Sequence, residues 1–241
     1  MRLKCIFNAD RIPVAYNMMF VSLIKECLKI VDEKYFNEIF LFENRANKMS
    51  KPFAFSVGIK GFELQGDEFI ISGDVELIIT SPDTRFFINL YNGLLRIHDF
   101  RYKNYLIKKK KIILLREKQI TQDEVVFKTL SPVCFKNKSG RFLDIEDNEF
   151  TEELNYLADL VIKNFRGYGL KRKLSFKNVS LRKRVVKIDR NYCAEKEEDK
   201  YKVNAYFGEF KLSGDAEDLN LLYQLGLSFR RNQGFGVLEV M

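Results

Sequence analysis

The same order of elements occurs twice along this chain, and that repeat limits its fold more than any single motif does. At the start, Leu3, Cys5 and Phe7 alternate with Arg2, Lys4 and Ile6, a period of two that predicts a strand. Pro13 breaks the run and Asn17 can cap a helix, along which Phe20, Leu23, Ile24, Cys27, Leu28 and Val31 recur at helical spacing. Strand-like runs follow at 53–57, 68–71 and 75–80. Ser81, Pro82 and Asp83 mark a second helix start, with Phe86, Phe87 and Leu90 on one face and Gly93 as its stop. Strand-like segments at 105–107 and 112–115 close the first set. After 119–123 the pattern restarts. Residues 125–135 read as a strand broken by Pro132. Thr151 can cap a helix that buries Leu154, Leu157, Ala158, Val161 and Phe165. A long basic hairpin is predicted from 174 to 188, and alternation resumes at 201–212. Asp215 starts a short helix ended by Gly226, and 234–240 reads as the last strand.

Two β-α-β-β-α-β units in succession predict an α+β protein made of tandem ferredoxin-like, RRM-like units, placed at 1–120 and 121–241. A length of 241 residues with 46% hydrophobic content supplies enough apolar material for two cores. The topology is that of RNA-recognition modules, but topology alone does not fix a function.

The formal net charge is +8, which favours a polyanionic partner. The charge concentrates between Lys163 and Arg190, in Arg166, Lys171, Arg172, Lys173, Lys177, Arg182, Lys183, Arg184 and Lys187, with Asp189 the only acid of the stretch. Phe176 and Val179 interleave with it. Such a segment suits phosphate contacts, which give salt-dependent affinity rather than sequence reading. The run 108–111 reads as an exposed strand edge that discourages pairing with other chains, and 196–200 as an exposed turn. The four cysteines, Cys5, Cys27, Cys134 and Cys193, have no metal-ligand spacing and read as buried free thiols. A single histidine, His98, rules out a His-rich metal site and a two-histidine acid/base pair. Asp99 is beside it, but neighbours on an extended chain point to opposite faces, so His98 reads as structural. No metal or cofactor is expected. No signal peptide opens the chain and no apolar run approaches the roughly 18 residues of a membrane span, so a cytoplasmic location is expected.

The most pointed local signal is the run 226–236, Gly-Leu-Ser-Phe-Arg-Arg-Asn-Gln-Gly-Phe-Gly. Gly234 and Gly236 permit backbone angles closed to other residues and close approach to a ligand. Arg230 and Arg231 add charge and fork-shaped donors, and Asn232 and Gln233 can read base edges or sugars. A helix-to-strand turn that merely needs glycine is the alternative. The run resembles the glycine-rich signature of the CRISPR repeat-processing endoribonucleases, a RAMP-type family, with Ser228 in place of one glycine. Residues 13–17 before the first helix, 51–56 (Lys-Pro-Phe-Ala-Phe-Ser) and 129–132 (Thr-Leu-Ser-Pro) resemble other segments of that family in matching order and position.

The resemblance implies cleavage of precursor CRISPR RNA within its repeats, without metal, by attack of a ribose 2′-hydroxyl on the adjacent phosphate. The products are a 2′,3′-cyclic phosphate and a 5′-hydroxyl. Such a reaction calls for a base, an acid and a cation at the phosphate. Many members supply a histidine, but the expected place, Asn44-Arg45-Ala46, has none, and a tyrosine of the first helix is replaced by Lys25. Three readings stay open: Ala46 replaces a catalytic histidine by engineering, the chain works through lysine and arginine, or it binds without cutting. Lys51 is carried over as a phosphate-stabilising cation, with a solvated lysine at a strand start as the equal alternative. Arg45 and Lys48 are weaker candidates, Lys25 is a further candidate that reads rather as a solvated lysine on the polar helix face, and Tyr16 reads as core. The implied partners are repeat RNA and a multi-subunit CRISPR surveillance complex; a homodimer is also compatible.

Overall fold

The computed structural model describes residues 1–42, 45–46, 49–189 and 200–241. The N-terminal alternation becomes β1 (Arg2–Asn8), with Leu3, Cys5 and Phe7 buried. β2 (Arg11–Pro13) leads into α1 (Asn17–Val31), α2 (Glu33–Phe40) and a short ladder of β3 (Leu41–Phe42) with β4 (Arg45–Ala46). Then come β5 (Ala54–Ile59), a hairpin of β6 (Phe62–Gln65) and β7 (Glu68–Ile71), β8 (Val75–Thr80), α3 (Thr84–Arg96), β9 (Asp99–Tyr102) and β10 (Tyr105–Leu115). The main sheet runs β5-β8-β1-β10-β9. Without the edge strand β9 this is the order 2-3-1-4 of a ferredoxin-like unit. α1 and α3 pack on it through Phe20, Leu23, Ile24, Phe86 and Leu90.

The second set repeats the order. It comprises β11 (Glu124–Thr129), α4 (Phe150–Arg166), β12 (Ser175–Asn178), β13 (Arg182–Asp189), β14 (Lys200–Phe207), β15 (Glu209–Ser213), α5 (Ala216–Leu225) and β16 (Leu238–Val240). Its sheet runs β12-β15-β11-β16, again 2-3-1-4. Leu154, Ala158 and Ile162 of α4 and Leu219 and Leu222 of α5 fill the core beneath it. Both units carry an extra hairpin between their second and third strands, β6–β7 in one and β13–β14 in the other.

Several sequence expectations are corrected. The basic hairpin expected over 174–188 does not form as one unit: β12 pairs with β15, whereas β13 pairs with β14. The reason is apolar. Ile188, Val203 and Ala205 are buried in the core of the first unit, so β13 and β14 leave their own sheet to cover it. α3 does not stop at Gly93. A Cβ there would lie 2.1 Å from the Cys27 carbonyl oxygen, so this glycine lets α1 and α3 approach closely. Asn17 is not a cap but the first residue of α1, and α4 starts at Phe150, before Thr151. The two segments predicted at 105–115 form one strand, and the strand expected over 125–135 ends at Thr129.

Cys5, Cys27 and Cys134 are buried free thiols, and burial pushes Cys5 and Cys134 up to about 12. Cys193 and residues 196–199 of the predicted turn lie outside the described residues. His98 is exposed just before β9, and its carbonyl accepts from Lys109 N–H. Among the described residues no helix is long and apolar enough to cross a membrane.

The two units are joined by polar contacts as well as by the hairpin. Arg2, 2% exposed, donates to Glu239 at 2.6 Å and to the Leu238 carbonyl at 2.6 Å, and its guanidinium lies 4.2 Å from the Tyr223 ring centroid.

Candidate functional site

The glycine-rich run leaves α5 at Gly226 and returns to β16 through a 3-10 turn (Arg231–Gln233). Its neck is closed by Leu227 N–H donating to the Gly236 carbonyl at 2.9 Å. Gly236 has φ +74, and a Cβ there would lie 2.6 Å from the Ser228 Cβ. Gly234 has φ +87, and its Cβ would lie 2.5 Å from Asn17 Nδ2. The latter contact exists because the Asn17 amide donates to the Gln233 carbonyl at 2.7 Å, tying α1 to the loop. Gly236 thus serves close packing within the loop, and Gly234 close packing between the units. Ser228 has its hydroxyl buried and engaged: it accepts from Cys134 N–H at 2.9 Å and donates to the Phe229 carbonyl at 2.8 Å.

The adjacent arginines are divided by the turn. Arg230 sits in the left-handed region at φ 68, half-buried, and donates to Gln233 Oε1 at 2.6 Å. Arg231 is buried, a correction to its expected surface role. Its guanidinium donates to the Leu225 carbonyl, to Ser50 Oγ and, at 3.1 Å, to the Lys51 carbonyl. Burial pulls its pKa down to about 10, which leaves it charged at neutral pH. Arg231 therefore anchors the segment that carries Lys51 to the loop. No spacing rule marks which of two consecutive arginines points inward.

Lys51 is 8% exposed and donates to the Met49 carbonyl at 3.0 Å. Its ammonium lies 5.8 Å from the Phe40 ring centroid, and that of Lys25, from α1, lies 5.2 Å from the same centroid. Burial, and then the like charge of Lys25, lower the Lys51 pKa to about 8. β4 places Ala46 opposite Leu41, the residue after Phe40. Asn44 and Lys48 lie outside the described residues, and of Arg45 only the backbone in β4 is described. Tyr16 packs edge-on to Phe20, 6.3 Å between centroids, in keeping with a core role.

A cleft of about 540 Å³ opens beside Lys51. Its lining comes from the Met49–Lys51 segment, the loop residues Ser228–Asn232, and Leu157, Leu160, Val161 and Asn164 of α4. Among the described residues no acidic side chain lines it, so the cleft suits an anion. Of the residues expected to act together, Lys51, Arg230, Arg231 and Asn232 meet at this cleft, and Lys25 lies beside it across Phe40. The leucines and Asn164 of α4 were not singled out as site residues, because their period of three to four signals helix packing alone.

The residues of the basic stretch lie elsewhere. Arg172 and Lys173 line a separate cavity on the other flank of α4, where Arg172 pairs with Asp123 at 3.0 Å. Lys177 is exposed on β12, and Arg182, Lys183 and Arg184 are exposed on β13, with Lys183 paired to Asp144 at 2.7 Å.

Two ferredoxin-like units, joined so that the loop before the last strand of the second closes on the first helix of the first, define the class of this protein. The family model for the C-terminal part of the CRISPR-associated protein Cas6 matches residues 115–240, just over half of the chain. The chain belongs to the Cas6 family. Among solved structures, a Cas6-related protein of Pyrococcus furiosus shares the fold at 18% identity and TM-score 0.82, covering 100% of this chain and 98% of that one. A RAMP protein binding different RNA substrates matches at 17% identity and TM-score 0.81, covering 100% and 99%. A CRISPR-associated Cas6 protein matches at 20% identity and TM-score 0.75, covering 100% and 99%. No curated protein sequence matches the chain significantly.

Proposed function

We propose that the chain binds CRISPR repeat RNA and cuts it within the repeat, at the cleft beside Lys51, by attack of a ribose 2′-hydroxyl on the adjacent phosphate. Family membership and the likeness to a RAMP protein binding different RNA substrates support the RNA partner. The observation that carries the chemistry is the half-desolvated lysine pair. An ammonium held in a site of low polarity attracts a phosphate more strongly than one in water. A lysine with pKa about 8 is also a far better proton donor than one at its ordinary 10.5. As the 2′-oxygen bonds to phosphorus its proton passes to solvent at the open cleft, and the bond from phosphorus to the 5′-oxygen breaks. Lys51 stabilises the charge on the phosphorane and gives its proton to the departing 5′-oxygen, while Lys25 adds a second cation at the rim. The reaction uses no metal. The exposed cations Lys173, Lys177, Arg182 and Arg184 hold phosphates further along the strand, and Arg230 those nearest the cleft. The product stays bound and enters a multi-subunit CRISPR complex.

A second reading is favoured by one observation, the alanine at position 46 where a histidine is expected: the chain binds repeat RNA without cutting it. Incubation of labelled repeat RNA in EDTA with the chain and with Ala46→His separates the two. Cutting by the unaltered chain is expected, and faster cutting by Ala46→His, which regains a base. Binding without cutting by the unaltered chain would establish the second reading, and cutting abolished by EDTA would overturn the metal-free reaction.

A further inference from the structure

The wall of the cleft opposite Lys51 is not used by the chemistry above. Leu157, Leu160, Val161 and Asn164 recur at the spacing that places them on one face of α4. The core needs only part of this face. Leu154, Ala158, Val161 and Ile162 form the buried stripe, whereas Leu160 remains 38% exposed and Asn164 is exposed one turn further on. Asn232 faces them from the glycine-rich loop. Among the described residues, the side-chain amides of Asn164 and Asn232 make no hydrogen bond, and each offers both a donor and an acceptor.

An apolar floor, two amides with open hydrogen-bonding capacity at its edge, and a desolvated ammonium beside it form a specific combination. It fits a flat ring with polar edges that is covalently attached to a phosphate. We infer that the α4 wall is a base-reading subsite: one unpaired nucleobase, next to the phosphate held at Lys51, lies on Leu157 and Leu160 with its edge hydrogen-bonded to Asn164 and Asn232. This inference rests on the reading that RNA occupies the cleft. A base in a continuous double helix has both faces stacked and its pairing edge engaged, so the subsite requires the strand to be unpaired at this nucleotide. Specificity at that position then comes from α4, while the basic strands contribute affinity without sequence preference.

The test is an abasic scan read by equilibrium binding, which works whether or not the chain cuts. Repeat RNAs that each lack one base are titrated against the unaltered chain, Asn164→Ala and Leu160→Ser. Both substituted residues are exposed, so the variants are expected to melt with the unaltered chain. Loss of a stacked base is expected to weaken binding by roughly tenfold at a single position next to the cleaved phosphate. At that position the abasic RNA should bind the two variants and the unaltered chain with equal affinity, since the partner of the altered side chains is gone. A flat scan, or a variant whose loss is the same with and without the base, would overturn the subsite while leaving the RNA-binding reading intact. Failure of the complete repeat RNA to bind the unaltered chain would overturn both.

Discussion

Two basic regions of this molecule look unequal in the sequence, and the fold reverses their ranking. The stretch 163–190 holds many cations and one acid, yet the folded chain brings acids to it from other segments. Arg166 bonds the fully buried Asp218 at 2.5 Å, Lys171 pairs with Glu217 at 2.5 Å, Arg172 with Asp123 at 3.0 Å and Lys187 with Asp67 at 3.6 Å. These pairs answer the charge within the protein. The segment around Lys51, by contrast, has no charge run to mark it in sequence, but it buries an ammonium near another one and lines a cleft with no carboxylate among the described residues. Charge density along a chain measures solvation and partner sign. Desolvation of one group, which depends on tertiary packing, decides where proton chemistry can occur.

The largest effect that sharpens this contrast is expected for Lys51→Ala. Single-turnover cleavage of repeat RNA should fall by roughly 10²–10⁴-fold, the usual contribution of a positioned proton donor, with affinity changed far less. Equal losses in rate and affinity would make Lys51 a simple phosphate anchor. The next effect separates the adjacent arginines. Arg231→Ala leaves several buried acceptors without their donor and should cost about 3 kcal/mol of stability in denaturant unfolding. Arg230→Ala should leave stability nearly unchanged and weaken RNA binding. A reversed pattern would contradict the inward placement of Arg231. The smallest effect concerns the charge-rich stretch. Arg182→Ala with Arg184→Ala should reduce the slope of log affinity against log salt by up to about 1.4, as two single-strand phosphate contacts require, whereas Lys171→Ala, whose charge is already paired, should leave it unchanged.

The repeated strand order was legible from period alone, since β1, β8 and α1 each keep a regular apolar pattern tied to one core. The fate of the second hairpin was not. Ile188, Val203 and Ala205 pattern a strand well, but nothing in their spacing says that the core they enter belongs to the other unit. The glycine-rich loop was located correctly, and its partner was not: Gly234 is required by Asn17, more than two hundred residues earlier in the chain, and such a contact has no local signal. Lys51 was singled out through family resemblance. Its depressed pKa arises from burial and then from the charge of Lys25, neither of which can be read from neighbours in sequence.

The central claim is that Lys51 acts as a protonated group that titrates near neutrality. The most direct measurement is kcat/KM for repeat cleavage across pH 6 to 10 in EDTA, which reports the ionisations of the free protein. The folded pKa of about 8 is below the ordinary 10.5, so the protonated fraction is complete well below pH 8 and drops tenfold per unit above it. The account predicts a falling limb with its midpoint near pH 8, absent from the residual activity of Lys51→Ala. A rate that climbs steadily through this range, or a limb that survives in Lys51→Ala, would contradict it.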